Sequence, residues 1–243
     1  MNRILFTFSM VLSLCFFGCE TLQQVAGSLP DGNPTNTEII GGLKEALVKG
    51  AGFATTTLNQ EGGYFKDPLV KIPFPQEAQF AANTLRDIGL GKLVDDFEMK
   101  LNEGAEKGAA LALPIFKNAI KQMSFDDAKN ILLGGENAAT DYFKVKTTEQ
   151  LVAAFSPQIK GTLDQVKATD IWSEITTRYN QIPFTGKKVE TDLVKYTTGK
   201  ALDGLFLKLG EEEKKIRENP IARTSDLLRK VFSFAERQAT GNE

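Results

Sequence analysis

Apolar residues recur at helical spacing along most of the chain, and most densely between Leu101 and Met123. One row there is Leu101, Ala105, Gly108, Ala112, Ile115 and Ala119; a second is Ala109, Leu113, Phe116, Ile120 and Met123. Steps of three and four keep each row on one helix face, and the two rows lie side by side. Glu103, Lys107, Ala110, Pro114, Lys117 and Lys121 share the opposite face. Pro114 thus falls on the wet side, where it bends a helix around a core. The pattern predicts one central helix with neighbours on more than one side. The small residues of the first row predict a close backbone approach.

Local start and stop residues divide the rest. Thr35 and Glu38 stand in a capping-box relation and open a helix to about Leu58, which Gly62-Gly63 ends. Residues 64–75 hold Pro68, Pro73 and Pro75. They predict an extended or turning connection whose Phe65, Leu69, Ile72 and Phe74 pack onto helices. Pro75 opens a second helix to Ile88, and residues 91–110 lead into the central helix. Ser124 and Asp127 form another capping box, before a short helix to Leu133. Separate short helices are expected over 136–145, from a Thr148 cap to Phe155, and from Pro157 onward. Thr169 caps a further helix with Ile171, Trp172, Ile175 and Tyr179 inward, and 182–188 form a loop. A long helix spans 192–218 and stops at Asn219-Pro220, because the residue before proline avoids helical backbone. Thr224 or Ser225 caps the last helix, through about Arg237. No window alternates apolar and polar residues, and no fixed-period repeat occurs, so the expected class is all-α.

The first residues differ from this body. Arg3 precedes the uncharged run ILFTFSMVLSLCFFG, which ends just before Cys19. The run is shorter than the roughly 20 residues of a spanning helix and fits an export signal. Its ending, Phe16-Phe17-Gly18-Cys19, resembles the lipobox of bacterial lipoproteins, although Phe16 stands where Leu is commonest and Phe17 where a small residue is usual. The resemblance implies cleavage before Cys19 and acylation of that cysteine. Residues 20–36 are rich in Gly, Pro and Asn and read as a tether. The expected organisation is therefore a signal over 1–18, a lipidated tether over 19–36, a helical domain over 37–238 and a tail over 239–243.

Composition narrows the chemistry. His is absent and both cysteines, Cys15 and Cys19, lie in the first twenty residues. The body thus lacks His bases, thiol nucleophiles and His or Cys metal sites. A formal net charge of -2 offers no field to recruit nucleic acid. The 17 phenylalanines against one tryptophan suggest a core knitted by Phe.

The polar stretch 196–223 is where a binding surface is sought. Lys200 and Asp203 share a helix face; Arg217 and Arg223 flank the Asn219-Pro220 stop. Arginines in an open groove would take a carboxylate or phosphate; held by acids, they would tie the fold. Glu211–Lys215 and Glu213–Arg217 are spaced as helix ion pairs. The carboxylate groups at 95–96, 126–127 and 211–213 read as surface charge or helix-start residues. No phosphate-loop, dinucleotide or calcium fingerprint occurs.

Several segments in order resemble one bacterial family, domain of unknown function 4197. They are GLKEAL (42–47), DPLVKIPFP (67–75), LPIFKNAIKQMSFDDAKNIL (113–132), GGENAATDYF (134–143), YNQIPF (179–184) and the run from KALDG to LRKVF (200–232). The resemblance implies an exported helical envelope protein, often lipid-anchored, and no catalytic residues.

The expected function is a non-enzymatic binding or scaffolding domain, held to a membrane through Cys19 and facing the periplasm. Its expected partners are the membrane and an envelope protein, with no nucleic acid and no cofactor. Two other readings stand beside it: a carrier of an apolar ligand in a helical cavity, and an enzyme working through carboxylates.

Overall fold

The computed structural model describes residues 32–76, 79–89, 91–165, 167–169, 172–173, 177 and 192–241. The chain divides into residues 1–33 and a compact body, 34–243. The expected signal segment and Cys19 lie outside the described residues, as do most of the expected tether and most of the helix expected after Thr169.

The body is helical, with no strand among the described residues. Its described elements are α1 (Asn36–Leu58), α2 (Gln79–Asp87), α3 (Gly91–Ala109), α4 (Ala112–Gln122), α5 (Phe125–Leu132), α6 (Ala138–Asp164), α7 (Leu193–Glu218) and α8 (Asp226–Thr240). A 3-10 turn, Pro220–Ala222, joins the last two. The start residues act as their chemistry requires. Thr35 and Glu38 exchange side-chain and backbone bonds at α1, and Ser124 and Asp127 do so at α5. Asp192 and Ser225 cap α7 and α8.

The expected central helix is two helices, broken at Ala110 and Leu111. Pro114 has no N–H to give the Ala110 carbonyl, and its ring crowds that carbonyl. The chain tightens instead, with Leu111 N–H bonding the Gly108 carbonyl at 2.9 Å. Pro114 then sits in the first turn of α4, where its missing donor would have had no partner. Both apolar rows still face inward: Leu101, Ala105, Ala109, Ala112 and Phe116 are sealed from solvent.

The opposite correction applies to α6, one helix of 27 residues where three were expected. The Thr147 and Thr148 hydroxyls donate back to the Phe143 and Lys144 carbonyls, so Thr148 caps nothing. Pro157 lies inside the helix on its exposed side. A continuous buried row, Phe143, Thr147, Leu151, Phe155, Ile159 and Leu163, carries the helix past it. Steps of four drift by about 40° each, so this row turns around the axis and must meet different partners. Phe143 meets Phe116 of α4, while Phe155 and Ile159 pack on Gly108 and Gly104 of α3. A Cβ at Gly104 would stand 3.0 Å from the Ile159 Cα, and one at Gly108 would stand 2.6 Å from the Phe155 ring. That is the close approach the small residues predict.

Around this seam, α7 packs on α6 and on α1, and α1 also touches α4, α5 and α8. The proline-rich connection is fastened along its length. The buried Asn102 amide accepts from Ile72 N–H (2.8 Å) and donates to the Ile72 carbonyl (2.9 Å). The Tyr64 hydroxyl donates to the Ala201 carbonyl on α7 at 2.8 Å. Ile72 and Phe74 are buried as expected, but Leu69 is 67% exposed and Val70 takes the inward place. The turn that carries this register is held by Asp67, which accepts from Leu69 N–H and pairs with Lys208.

Candidate functional site

Three helix ends meet at the last turns of α7. The start of α6 has no cap of its own. Glu213 reaches across from α7 and accepts from Ala139 N–H, Thr140 N–H and the Thr140 hydroxyl, each at 2.9 Å. It thereby takes up orphan donors and places a negative charge at the positive end of α6. One turn on, Arg217 donates Nε and Nη2 to the same carboxylate at 3.1 and 2.9 Å. Two further donors, one on Nη2 and one on Nη1, go to the last carbonyls of α5, Ile131 at 2.7 Å and Leu132 at 3.3 Å. Both side chains are nearly closed to solvent, Glu213 7% and Arg217 17% exposed.

Arg223 follows the 3-10 turn and is 2% exposed. Its Nε donates to the Ile216 carbonyl at 3.0 Å. Its Nη2 donates to the Arg217 carbonyl and to Glu236 of α8. The guanidinium lies 5.4 Å from the Phe232 ring centre. It closes the C-terminal end of α7, whose last carbonyls have no partner within the helix. Arg217 and Arg223 are thus both held by carboxylates and carbonyls of the protein.

They nevertheless border open space. A cleft of about 320 Å³ lies between the end of α5 and α8. Leu132, Leu133, Phe232, Ala235 and Ala239 form its walls, the two arginines line it, and Glu236 and Gln238 contribute the rest of its polar lining. Leu133 is 44% exposed there.

Lys200 and Asp203 are elsewhere. Their charges pair at 3.7 Å on an open face, with side chains 48% and 77% exposed. At 1.5 Å per residue, Arg217 lies about 20 Å further along α7. Asp203 borders a second groove, of about 410 Å³, shared with Thr140, Lys144, Phe206, Leu207 and Lys214. The four residues do not form one surface.

The carboxylate groups disperse in the same way. Glu211 pairs with Lys208, Glu212 with Lys215, and Glu213 with Arg217; the expected Glu211–Lys215 pair does not form. Asp95 and Asp96 bind Arg86 and Lys92. Asp127 serves its capping box, and the bonds from Ser124 hold its carboxyl below the usual range. Among the described residues no three His, Cys, Asp or Glu side chains converge as a metal site. No described helix is long and apolar enough to cross a membrane.

Sequence reasoning did not foresee Glu236, Phe232 or Leu133 as members of the cleft. Glu236 is 13 positions from Arg223 and separated by a change of helix, so no helical period links them. The start and end of α8 were read from sequence; what its side chains would cover was not.

Residues 33–233 match the model of the family described as Protein of unknown function (DUF4197), and the chain belongs to that family. No curated protein and no solved structure matches it.

Proposed function

We propose that this member of the family is a cell-envelope lipoprotein, and that its helical body is a non-enzymatic binding domain held at a membrane by acylated Cys19. Two acyl chains or more anchor a protein stably where one binds marginally, which suits a fixed tether. The observation that carries the binding role is the cleft beside Arg217 and Arg223. It offers apolar walls next to polar groups whose charges the protein already balances. Such a place suits recognition of a partner better than proton transfer.

A carrier of an apolar ligand finds less support. One small cavity among the described residues, lined by Leu43, Leu47, Ile131, Ile216 and Phe232 with Glu213 and Arg217, measures about 20 Å³, room for about one water. A carboxylate enzyme is likewise disfavoured by the separate pairing of Glu211, Glu212 and Glu213.

The test has two parts. Mature wild-type protein should fractionate with membranes and carry acyl mass on its first residue, Cys19, while Cys19→Ser should be soluble or unprocessed. Partner recovery from envelopes should be lost on Leu133→Arg, a change at an exposed cleft wall. A soluble, unacylated mature wild type would refute the anchor, and equal recovery by the variant would refute the cleft.

A further inference from the structure

The geometry points to an uncharged peptide segment with aliphatic side chains as the occupant of the cleft between α5 and α8, with one backbone carbonyl bound at Arg223 Nη1. This inference rests on the binding role proposed above and names the chemistry of the partner.

Arg223 carries five N–H donors. Nε and Nη2 are used on the Ile216 carbonyl, the Arg217 carbonyl and Glu236. Nη1 has no partner among the described residues. Yet no sealed side-chain nitrogen or oxygen there lacks a hydrogen bond. Nη1 must therefore reach open space, and the space this residue borders is the cleft. A side chain only 2% exposed thus keeps one unused nitrogen beside a cleft with largely apolar walls.

The local charge selects the acceptor. Glu213 balances Arg217 and Glu236 balances Arg223. The carbonyls of Ile131, Leu132, Ile216 and Arg217 also converge on these two guanidiniums. They are the negative ends of α5 and α7. No net positive potential is left for an anion, and a ligand carboxylate would face Glu236 across the same guanidinium. A neutral carbonyl meets the free donor without that repulsion. The occupant must supply such an acceptor, because covering Nη1 with hydrocarbon alone would strand both of its N–H donors.

The walls select the rest. Leu132, Leu133, Phe232, Ala235 and Ala239 present aliphatic and aromatic carbon. A volume of about 320 Å³ is near the bottom of the roughly 300–1,000 Å³ typical of ligand sites, enough for about two residues.

The purified full chain in lipid nanodiscs is to be photolabelled with acetyl-leucyl-photoleucine amide and, separately, with the same dipeptide as its free acid. Saturable labelling by the amide should map to residues 132–134 and 235–239 and exceed that by the acid. Ala235→Trp fills the cleft and should reduce labelling by about tenfold or more, an affinity loss of about 1.4 kcal/mol. Leu133→Arg alters an exposed wall without touching the core and should do the same with an unchanged melting temperature. Preference for the free acid would overturn the neutral acceptor. Labelling spread over other helices, or equal in Leu133→Arg, would overturn the site. Neither result bears on acylation of Cys19, which the mass of the mature first residue decides by itself.

Discussion

Glu213 and Arg217, one turn apart on α7, fasten the ends of two other helices: Glu213 holds the start of α6, and Arg217 holds the end of α5. As an exposed helix pair they would contribute only about 0.2–0.5 kcal/mol. Here both are largely buried, and each also satisfies backbone groups that would otherwise be stranded. Glu213→Ala should cost about 3 kcal/mol, because it leaves a buried arginine unpaired and α6 uncapped. Glu213→Gln keeps the acceptor and should cost less. Urea unfolding of the two variants measures the difference, and a loss below about 1 kcal/mol for Glu213→Ala would contradict the junction.

Phe116 fills the space between α6 and α7. Its ring is sealed from solvent, with the Phe143 ring at 4.9 Å and the Phe206 ring at 6.4 Å. Phe116→Ala should destabilise by about 3–5 kcal/mol through lost transfer and a residual cavity. That is a large share of a typical total of about 5–15 kcal/mol. The check is the denaturant midpoint at unchanged slope.

Two glycine substitutions should act with opposite sign. Gly161, in α6, has nothing within 4 Å of an added Cβ. Gly161→Ala should therefore stabilise by about 0.4–1 kcal/mol through helix propensity and the unfolded chain. Gly108→Ala meets the Phe155 ring at 2.6 Å and should destabilise by about 1–3 kcal/mol, as overpacking does. Thermal unfolding of both variants decides it; a stabilised Gly108→Ala would show that α3 and α6 are not in close contact.

Acid stability should depend on Glu38. Bonds from Lys230 and from Thr35 lower its pKa from 4.5 to about 2. A depressed folded pKa adds stability that is fully present above the unfolded value and lost as pH falls toward the folded one. The stability gap between wild type and Glu38→Gln should stay constant from pH 7 to about 5. It should then close between about pH 4.5 and 2. Urea midpoints across that range measure the gap, and one that persists unchanged to pH 2 would remove the carboxylate charge as its source.

Local rules decided a good deal of this protein. Thr35 with Glu38, Ser124 with Asp127, Asp192 and Ser225 begin helices because a side-chain oxygen three residues before a free N–H needs no distant partner. Asn219-Pro220 ends α7 for an equally local steric reason. The two apolar rows of 101–123 face the core because helical period alone puts them on one side. What proline does inside an apolar pattern was not local. Pro114 breaks its helix, whereas Pro157 is carried within α6 by a buried row that packs successively on α4 and α3. The intrinsic cost of proline is similar in both places, so packing makes the difference. The candidate site was decided at the same level. From sequence, Arg217 and Arg223 fit either an open groove or ties within the fold, and the ends of α5, α6 and α8 that arrive around them decide for ties. Burial then makes the nearby carbonyls and carboxylates required partners, and it leaves one arginine nitrogen without a described partner beside a cleft that no single helix contains.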